Sequence, residues 1–143
     1  MASITLDQAR TIVSGALAHA AANGINPLAV AVLDAGARLV AYERQDGASP
    51  GRYEIAFGKA NGAVMLGMGT RALMKRAEAQ AYFIAAAGAA FDGKLIPVPG
   101  GVLIKDAGGA VIGAVGISGD SSDNDEAACV AGIAAAGLTG VTG

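Results

Sequence analysis

PVPGGVLIKDAGGAVIGAVGISG, residues 97–119, is the stretch that decides the fold. Within it, apolar runs at residues 102–106 and 110–118 flank the turn AGG, which is the pattern of a β-hairpin. Residues 28–45 repeat this arrangement, with LAVAVLD and LVAYERQ on either side of AGAR. Because the two strands of a hairpin are antiparallel neighbours, the sequence predicts an antiparallel sheet.

Both turns contain Asp-Ala-Gly, beginning at Asp34 and at Asp106. A duplicated half-domain would produce this repetition. Two independent tight turns would also produce it, because aspartate and glycine suit the backbone of such turns. Both explanations stay open at this point.

Helical periodicity surrounds the two hairpins. The predicted helices cover residues 6–23, 51–68, 71–87 and 123–137. The first has a capping box at Thr5 and Gln8 and a terminating glycine at Gly24. The tail after the last helix is predicted to fray. The order helix, hairpin, two helices, hairpin, helix predicts an α+β fold, with helices on one or both faces of the sheet.

Length and composition limit the class of protein. The 143 residues are enough for a single domain, residues 1–143, with a stable core. Hydrophobic residues make up 53% of the chain and charged residues 15%, so we expect a folded chain rather than a disordered one. The many alanines and glycines leave surfaces of low polarity, which often become subunit contacts, so we expect a homo-oligomer.

Charge and cysteine count exclude further classes. The formal net charge of -2 argues against a dedicated nucleic-acid-binding protein. Cys129 is the only cysteine, so neither an intrachain disulfide nor a thiolate metal cage can form. No apolar run approaches the roughly 20 residues of a bilayer span, and the N-terminus lacks the features of a signal peptide. We therefore expect a cytoplasmic protein without a membrane partner.

Residues 113–133, GAVGISGDSSDNDEAACVAGI, place serines and acids before an apolar helix. The stretch lacks the G-x-S-x-G of a nucleophile elbow, the lysine of a phosphate loop and the spacing of an EF-hand. Helix capping by Asp123 and Glu126 is one interpretation, since acids suit the positive end of the helix dipole. A hydrated cation held by Asp125 and Glu126 at the surface is the other.

His19 is the only histidine and lies on the flank of the first predicted helix. A lone histidine is a natural axial ligand for heme iron, and it is also often a polar residue at a helix edge. A two-histidine metal site is excluded by the count.

Basic side chains and free backbone amides could hold an acidic ligand. The basic side chains in the middle of the chain are Arg38, Arg44, Arg52 and Lys59. The guanidinium of arginine can donate two parallel hydrogen bonds to a carboxylate. Solvent-exposed charges at the ends of strands, or an Arg44–Asp46 salt bridge, would explain these basic residues equally well. The turn at Gly100 and Gly101 could aim backbone amides at a ligand, or form a rigid entry to a strand.

As a set, five segments resemble the GlcG/HbpS family of small heme-binding or heme-degrading-type domains, which is related to the C-terminal part of PduO-type corrinoid proteins. The resemblance covers nearly the whole chain. The segments are AVAVLDAGARLVAYERQDGA (29–48), Lys59-Ala60, GTRAL (69–73), PVPGGVLIKDAGGAVIGAVGISG (97–119) and Asp125-Glu126. Ala37 departs from the pattern, because such proteins often have a second glycine at that position of the turn.

The resemblance implies a profilin-like α+β fold, association into dimers up to octamers, and heme or another tetrapyrrole as the ligand. His19 is the predicted iron ligand, and no catalytic residue is assigned. The remaining predicted ligand-binding residues are Arg44, Lys59, Thr70, Gly100, Gly101 and Glu126.

Other functions remain open beside heme binding. The first alternative is a small catabolic enzyme, such as a deaminase, tautomerase or hydrolase, acting on an organic acid at a subunit interface. Arg44 and Lys59 would then bind the carboxylate, and Asp34, Asp46 or Glu126 would transfer protons. A corrinoid-binding accessory domain is the second alternative, and a purely structural oligomer is the third.

Overall fold

The computed structural model describes residues 2–143 and builds one antiparallel sheet with helices packed on it. The helices are α1 (Leu6–Ala22), α2 (Arg52–Leu66), α3 (Thr70–Ala79), α4 (Ala81–Ala90) and α5 (Ser122–Ala135). The strands are β1 (Ala29–Asp34), β2 (Leu39–Arg44), β3 (Gly101–Lys105), β4 (Val111–Ser118) and β5 (Thr139–Val141). In the described part of the chain, no helix combines the length and apolarity that a membrane span requires.

The two predicted hairpins form one sheet, because β1, the first strand of the first hairpin, pairs with β4, the last strand of the second. The strand order is β2-β1-β4-β3-β5, and every pair of neighbours is antiparallel. Ala29 of β1 lies opposite Arg44 on one side and Ser118 on the other. The α+β class and the antiparallel sheet predicted from the sequence are confirmed.

Alternating side chains of β1 separate the two faces of the sheet. Val30 and Val32 pack into the main core with residues of α1 and α5. The small Ala29 and Ala31 face Ala56 of α2 on the opposite side. The helix lies so close to the sheet there that a Cβ on Gly116 would overlap the backbone carbonyl of Ala56. The face covered by α2 is therefore separate from the face covered by α1 and α5.

Two of the element predictions were wrong. The predicted helix over residues 71–87 is divided into α3 and α4 at Gln80, whose φ of -140° and ψ of 62° are not helical. This break allows Ile84 of α4 to pack with Leu73 of α3 in a small apolar cluster. The tail predicted to fray forms β5 instead, because residues 139–141 pair with the free edge of β3.

The two hairpin turns have similar geometries. The Asp34 carboxylate accepts hydrogen bonds from the backbone amides of Gly36 and Arg38, both at 2.9 Å. The Asp106 carboxylate accepts one from the amide of Ala110, also at 2.9 Å. The fourth residue of each turn is left-handed, with φ 62° at Ala37 and φ 84° at Gly109. Alanine therefore occupies a conformation that favours glycine.

Candidate functional site

Two open clefts adjoin one another along α2. Their volumes are about 320 Å³ and 230 Å³, and both have Phe57 and Lys94 in their walls. We call the combined feature the Phe57 groove. Its walls are Tyr53, Glu54, Phe57, Asn61 and Met65 of α2, turn residues 36–38 and loop residues 92–94.

One row of side chains on α2 forms the floor of the Phe57 groove. Tyr53, Phe57, Asn61 and Met65 are spaced four residues apart and so lie on the same side of the helix. The rings of Tyr53 and Phe57 have centroids 5.8 Å apart. Met65 is 50% exposed at the end of this row. The floor is therefore largely apolar and open to solvent.

The loop that forms one wall is held against α2. The Asn61 side-chain amide donates to the carbonyl oxygen of Lys94 at 2.8 Å. A Cβ on Gly58 would lie 2.6 Å from Ile96, and one on Gly62 would lie 2.5 Å from Leu95. The two glycines thus leave room for the side chains of Ile96 and Leu95 against the helix. Their spacing of four within a helix was a signal that the sequence analysis missed.

Backbone strain is concentrated in the same groove. Among residues 2–143, the non-glycine residues with positive φ are Ala37, at 62°, and Asp92, at 56°. Both line the groove, one in each cleft. A left-handed alanine costs about 1 kcal/mol, and such strain often persists at ligand-binding sites. The coincidence marks the groove as the candidate site.

Charge is distributed unevenly along the groove. Arg38 and Lys94 line the smaller cleft, which has no acidic side chain in its walls. Glu54 and Asp92 line the larger cleft, where Lys94 is the one basic wall residue. All four side chains are exposed and can reach a ligand in the groove.

Lys59, one of the predicted binding residues, is buried rather than open to a ligand. Its side chain is 2% exposed, and its ammonium donates to the Asp125 carboxylate at 3.1 Å and to the carbonyl of Ile117 at 2.9 Å. A Cβ on Gly100 would lie 2.8 Å from this ammonium, so the glycine provides its space. Burial raises the pKa of Asp125, and the charge of Lys59 opposes that rise.

Thr70 and Gly101 form the adjoining part of this buried cluster. The Thr70 hydroxyl accepts a hydrogen bond from the Gly101 amide at 2.8 Å and donates one to the Gly101 carbonyl oxygen at 3.2 Å. A Cβ on Gly101 would lie 2.5 Å from the carbonyl oxygen of Lys59. The structure thus brings Lys59, Thr70, Gly100 and Gly101 together as internal contacts, and their role in ligand binding stays a prediction.

Glu126 contacts a side chain of α3. Its carboxylate accepts from Arg71 at 3.0 to 3.2 Å, and Asp123 forms an ion pair with the same guanidinium. The prediction that Asp123 caps α5 was wrong, because Ser121 is the N-cap and accepts from the Asn124 amide at 3.1 Å. Within residues 2–143 no group of three or more histidine, cysteine or acidic side chains is arranged to hold a metal ion.

The remaining predicted residues lie away from both clusters. Arg44 is an exposed residue at the end of edge strand β2, and no ion pair joins it to Asp46 in the described chain. His19 lies on α1, with its Nδ1 3.4 Å from the Asn23 side-chain amide. Because α1 and α2 cover opposite faces of the sheet, His19 does not face the Phe57 groove of its own chain.

Comparison with known proteins identifies the family. Residues 4–134 match the family model described as "Haem degrading protein HbpS-like". A crystal structure of HbpS is 30% identical, covering 94% of this chain and 90% of that one with a TM-score of 0.79. No curated protein sequence matches the chain.

Two further solved structures support the fold. A complex of PduOC with heme is 24% identical, covers 95% of this chain and 96% of its own, and gives a TM-score of 0.84. Protein ORFY of Klebsiella pneumoniae is 22% identical, with coverages of 96% and 92% and a TM-score of 0.85. With its fold shared by these proteins and residues 4–134 matched by the family model, the chain belongs to the HbpS-like family.

Proposed function

We propose that this protein binds heme, or a closely related tetrapyrrole, in the Phe57 groove. The observation that carries the proposal is the floor of the groove, where Tyr53, Phe57 and Met65 form one open apolar row. A planar macrocycle needs such a surface, since large apolar and aromatic area supplies most of the binding energy. The family description and the heme complex of PduOC support the choice of ligand.

The dimensions and chemistry of the groove suit a tetrapyrrole. From Tyr53 to Met65 the helix advances 12 residues, or about 18 Å at 1.5 Å per residue. The larger cleft, of about 320 Å³, lies within the range of small-molecule sites, and the adjoining cleft of about 230 Å³ extends it. Arg38 and Lys94 stand at the edge, where carboxylates of a bound porphyrin would reach solvent.

Each wall has a separate task in this proposal. Phe57 and Tyr53 pack against the ring and exclude water from one of its faces. Arg38 and Lys94 bind the propionates, while Asn61 fixes the loop that carries Lys94. Heme would bring a redox-active iron to this surface. Met65 adds a thioether side chain to the groove. Because α1 lies on the other face of the sheet, His19 could reach the groove only from a second subunit.

We also propose that the protein assembles with copies of itself. Helix α4 contains no charged residue, and Tyr82 on it is 73% exposed. A helix that is apolar on all sides normally packs against protein on all sides. Size-exclusion chromatography with light scattering tests this proposal, and a monomer at micromolar concentration would contradict it.

A hemin titration followed in the Soret band tests the proposed site. We expect a saturable, shifted band, and we expect Phe57→Glu to weaken binding at least about tenfold because it places a charge on the apolar floor. Val130→Glu is the control, since Val130 is an exposed apolar residue of α5, on the other face of the sheet from the groove. Equal affinity of Phe57→Glu and the parent would refute the groove, and a response without saturation would refute heme as the ligand.

A further inference from the structure

The uneven charge of the Phe57 groove carries an inference about which tetrapyrroles it accepts. We infer that the groove selects tetrapyrroles whose carboxylates lie along a single edge of the ring, and rejects those with carboxylates all around it. This inference rests on the proposed function. In this arrangement one cleft attracts ligand carboxylates and the other repels them, and specific recognition commonly uses both attraction and repulsion.

The attractive element is the smaller cleft. Arg38 comes from the β1–β2 turn and Lys94 from the loop after α4, so the two cations approach the cleft from different elements. The backbone under each is fixed. The Arg38 amide donates to Asp34, and the Lys94 carbonyl accepts from Asn61. Two adjacent propionates would therefore meet two positive charges there.

The repulsive element is the larger cleft. Glu54 and Asp92 both line it, one from α2 and one from the loop after α4. Asp92 is held in a left-handed conformation, with its amide bonded to the carbonyl of Ala89 at 3.3 Å. A ligand carboxylate in this cleft would face two like charges and one cation. Such a juxtaposition lowers affinity for the wrong ligand.

The separation of the groove into a basic cleft and an acidic cleft distinguishes three classes of tetrapyrrole. Protoporphyrin and heme carry two propionates on one edge, so their apolar edge would lie over Tyr53 with no charge near Glu54 or Asp92. Coproporphyrin carries four propionates around the ring, so at least one would enter the acidic cleft. Corrinoids present amides on most of their rim and would gain little from Arg38 and Lys94.

Equilibrium titration of the full chain with metal-free protoporphyrin IX and with coproporphyrin III tests this selectivity. We expect the parent to bind protoporphyrin at least about tenfold more tightly. Each of Arg38→Gln and Lys94→Gln should weaken protoporphyrin binding by up to about fivefold. Glu54→Gln and Asp92→Asn should tighten coproporphyrin binding several-fold and so reduce the preference for protoporphyrin. Asparagine at position 92 retains tolerance of the left-handed backbone.

Matched controls separate local from overall charge. Arg10 is an exposed arginine on α1, on the other face of the sheet, and Asp7 is an exposed acid on the same helix. Arg10→Gln and Asp7→Asn should change neither affinity. Hemin binding that depends on Phe57, combined with equal affinity for the two porphyrins, would overturn the selectivity while the proposed function stands. Absence of binding by hemin and by both porphyrins would overturn both.

Discussion

Removing the cation of the buried Lys59–Asp125 pair should produce a loss of stability that grows with pH. In Lys59→Met the aliphatic stem is retained, but the Asp125 carboxylate, 2% exposed, loses the ammonium 3.1 Å away. Burial already raises the pKa of Asp125 in the parent, and Lys59 is the main opposing influence. In the variant this pKa rises further, because desolvation acts without the opposing charge.

The size of the effect has an upper limit, since the carboxyl can always bind a proton instead of remaining charged. Protonating a group with an ordinary pKa of 3.8 costs about 1.36 kcal/mol per pH unit above that value. The limit is therefore about 4.4 kcal/mol at pH 7 and about 1.6 kcal/mol at pH 5. The pKa of Asp125 is higher in the folded chain than in the unfolded chain, so its protonation stabilises the fold. This contribution to the free energy of unfolding is fully present below pH 3.8 and is lost as the pH rises through the folded-state pKa. The variant extends this loss toward neutral pH.

Urea unfolding followed by circular dichroism at pH 5 and at pH 7 measures the difference. We expect Lys59→Met to lose more stability, relative to the parent, at pH 7 than at pH 5, by at most about 2.8 kcal/mol, the difference between the two limits. Lys59→Met combined with Asp125→Asn lacks the ionisable group and should show no such pH dependence. Lys75→Met, at an exposed position of α3, controls for the loss of a positive charge. An equal loss at the two pH values would refute the reasoning.

Four further predictions rest on particular backbone and burial features. Gly109→Ala should destabilise the fold by about 1 kcal/mol in urea unfolding, because its φ is 84° although space around it is open. Ala37→Gly should cost little or stabilise, since glycine relieves the left-handed strain, and a loss above about 1 kcal/mol would contradict this. Gly116→Ala should lower stability by at least about 2 kcal/mol, measured by the same assay, because the new methyl overlaps the carbonyl of Ala56. Burial raises the pKa of the Cys129 thiol, so a thiol reagent should label native protein only as fast as it unfolds, and rapid labelling at neutral pH would refute that burial.

Periodicity in the sequence was sufficient for most of the fold. The Asp-Ala-Gly turns and the apolar runs beside them predicted both hairpins, and the capping box at Thr5 is present in the structure. The division of the third predicted helix at Gln80 has no glycine or proline to indicate it. Residues 139–141 become a strand only because the edge of β3 is available. Such tertiary influences leave no local pattern in the sequence.

The candidate site was predicted less well, for a related reason. Lys59, Thr70, Gly100 and Gly101 were chosen separately and do converge, but as buried partners of one another. The walls of the Phe57 groove come from three separate parts of the chain. Ala37 offered the one local sign, as an alanine in a turn where glycine is expected. The left-handed conformation of Asp92 became visible only in the folded chain.

The close contact of α2 with its surroundings bears on how this family could diversify. Gly58 and Gly62 admit residues 94–96 on one side of the helix, and Gly116 admits the helix backbone on the other. Insertions in α2 would disrupt both contacts, so the groove floor is poorly suited to evolutionary change. Arg38, Asp92 and Lys94 are exposed, so the side-chain charges of the two turns can change without disturbing the core. Relatives that bind different ligands should therefore differ first in these two turns.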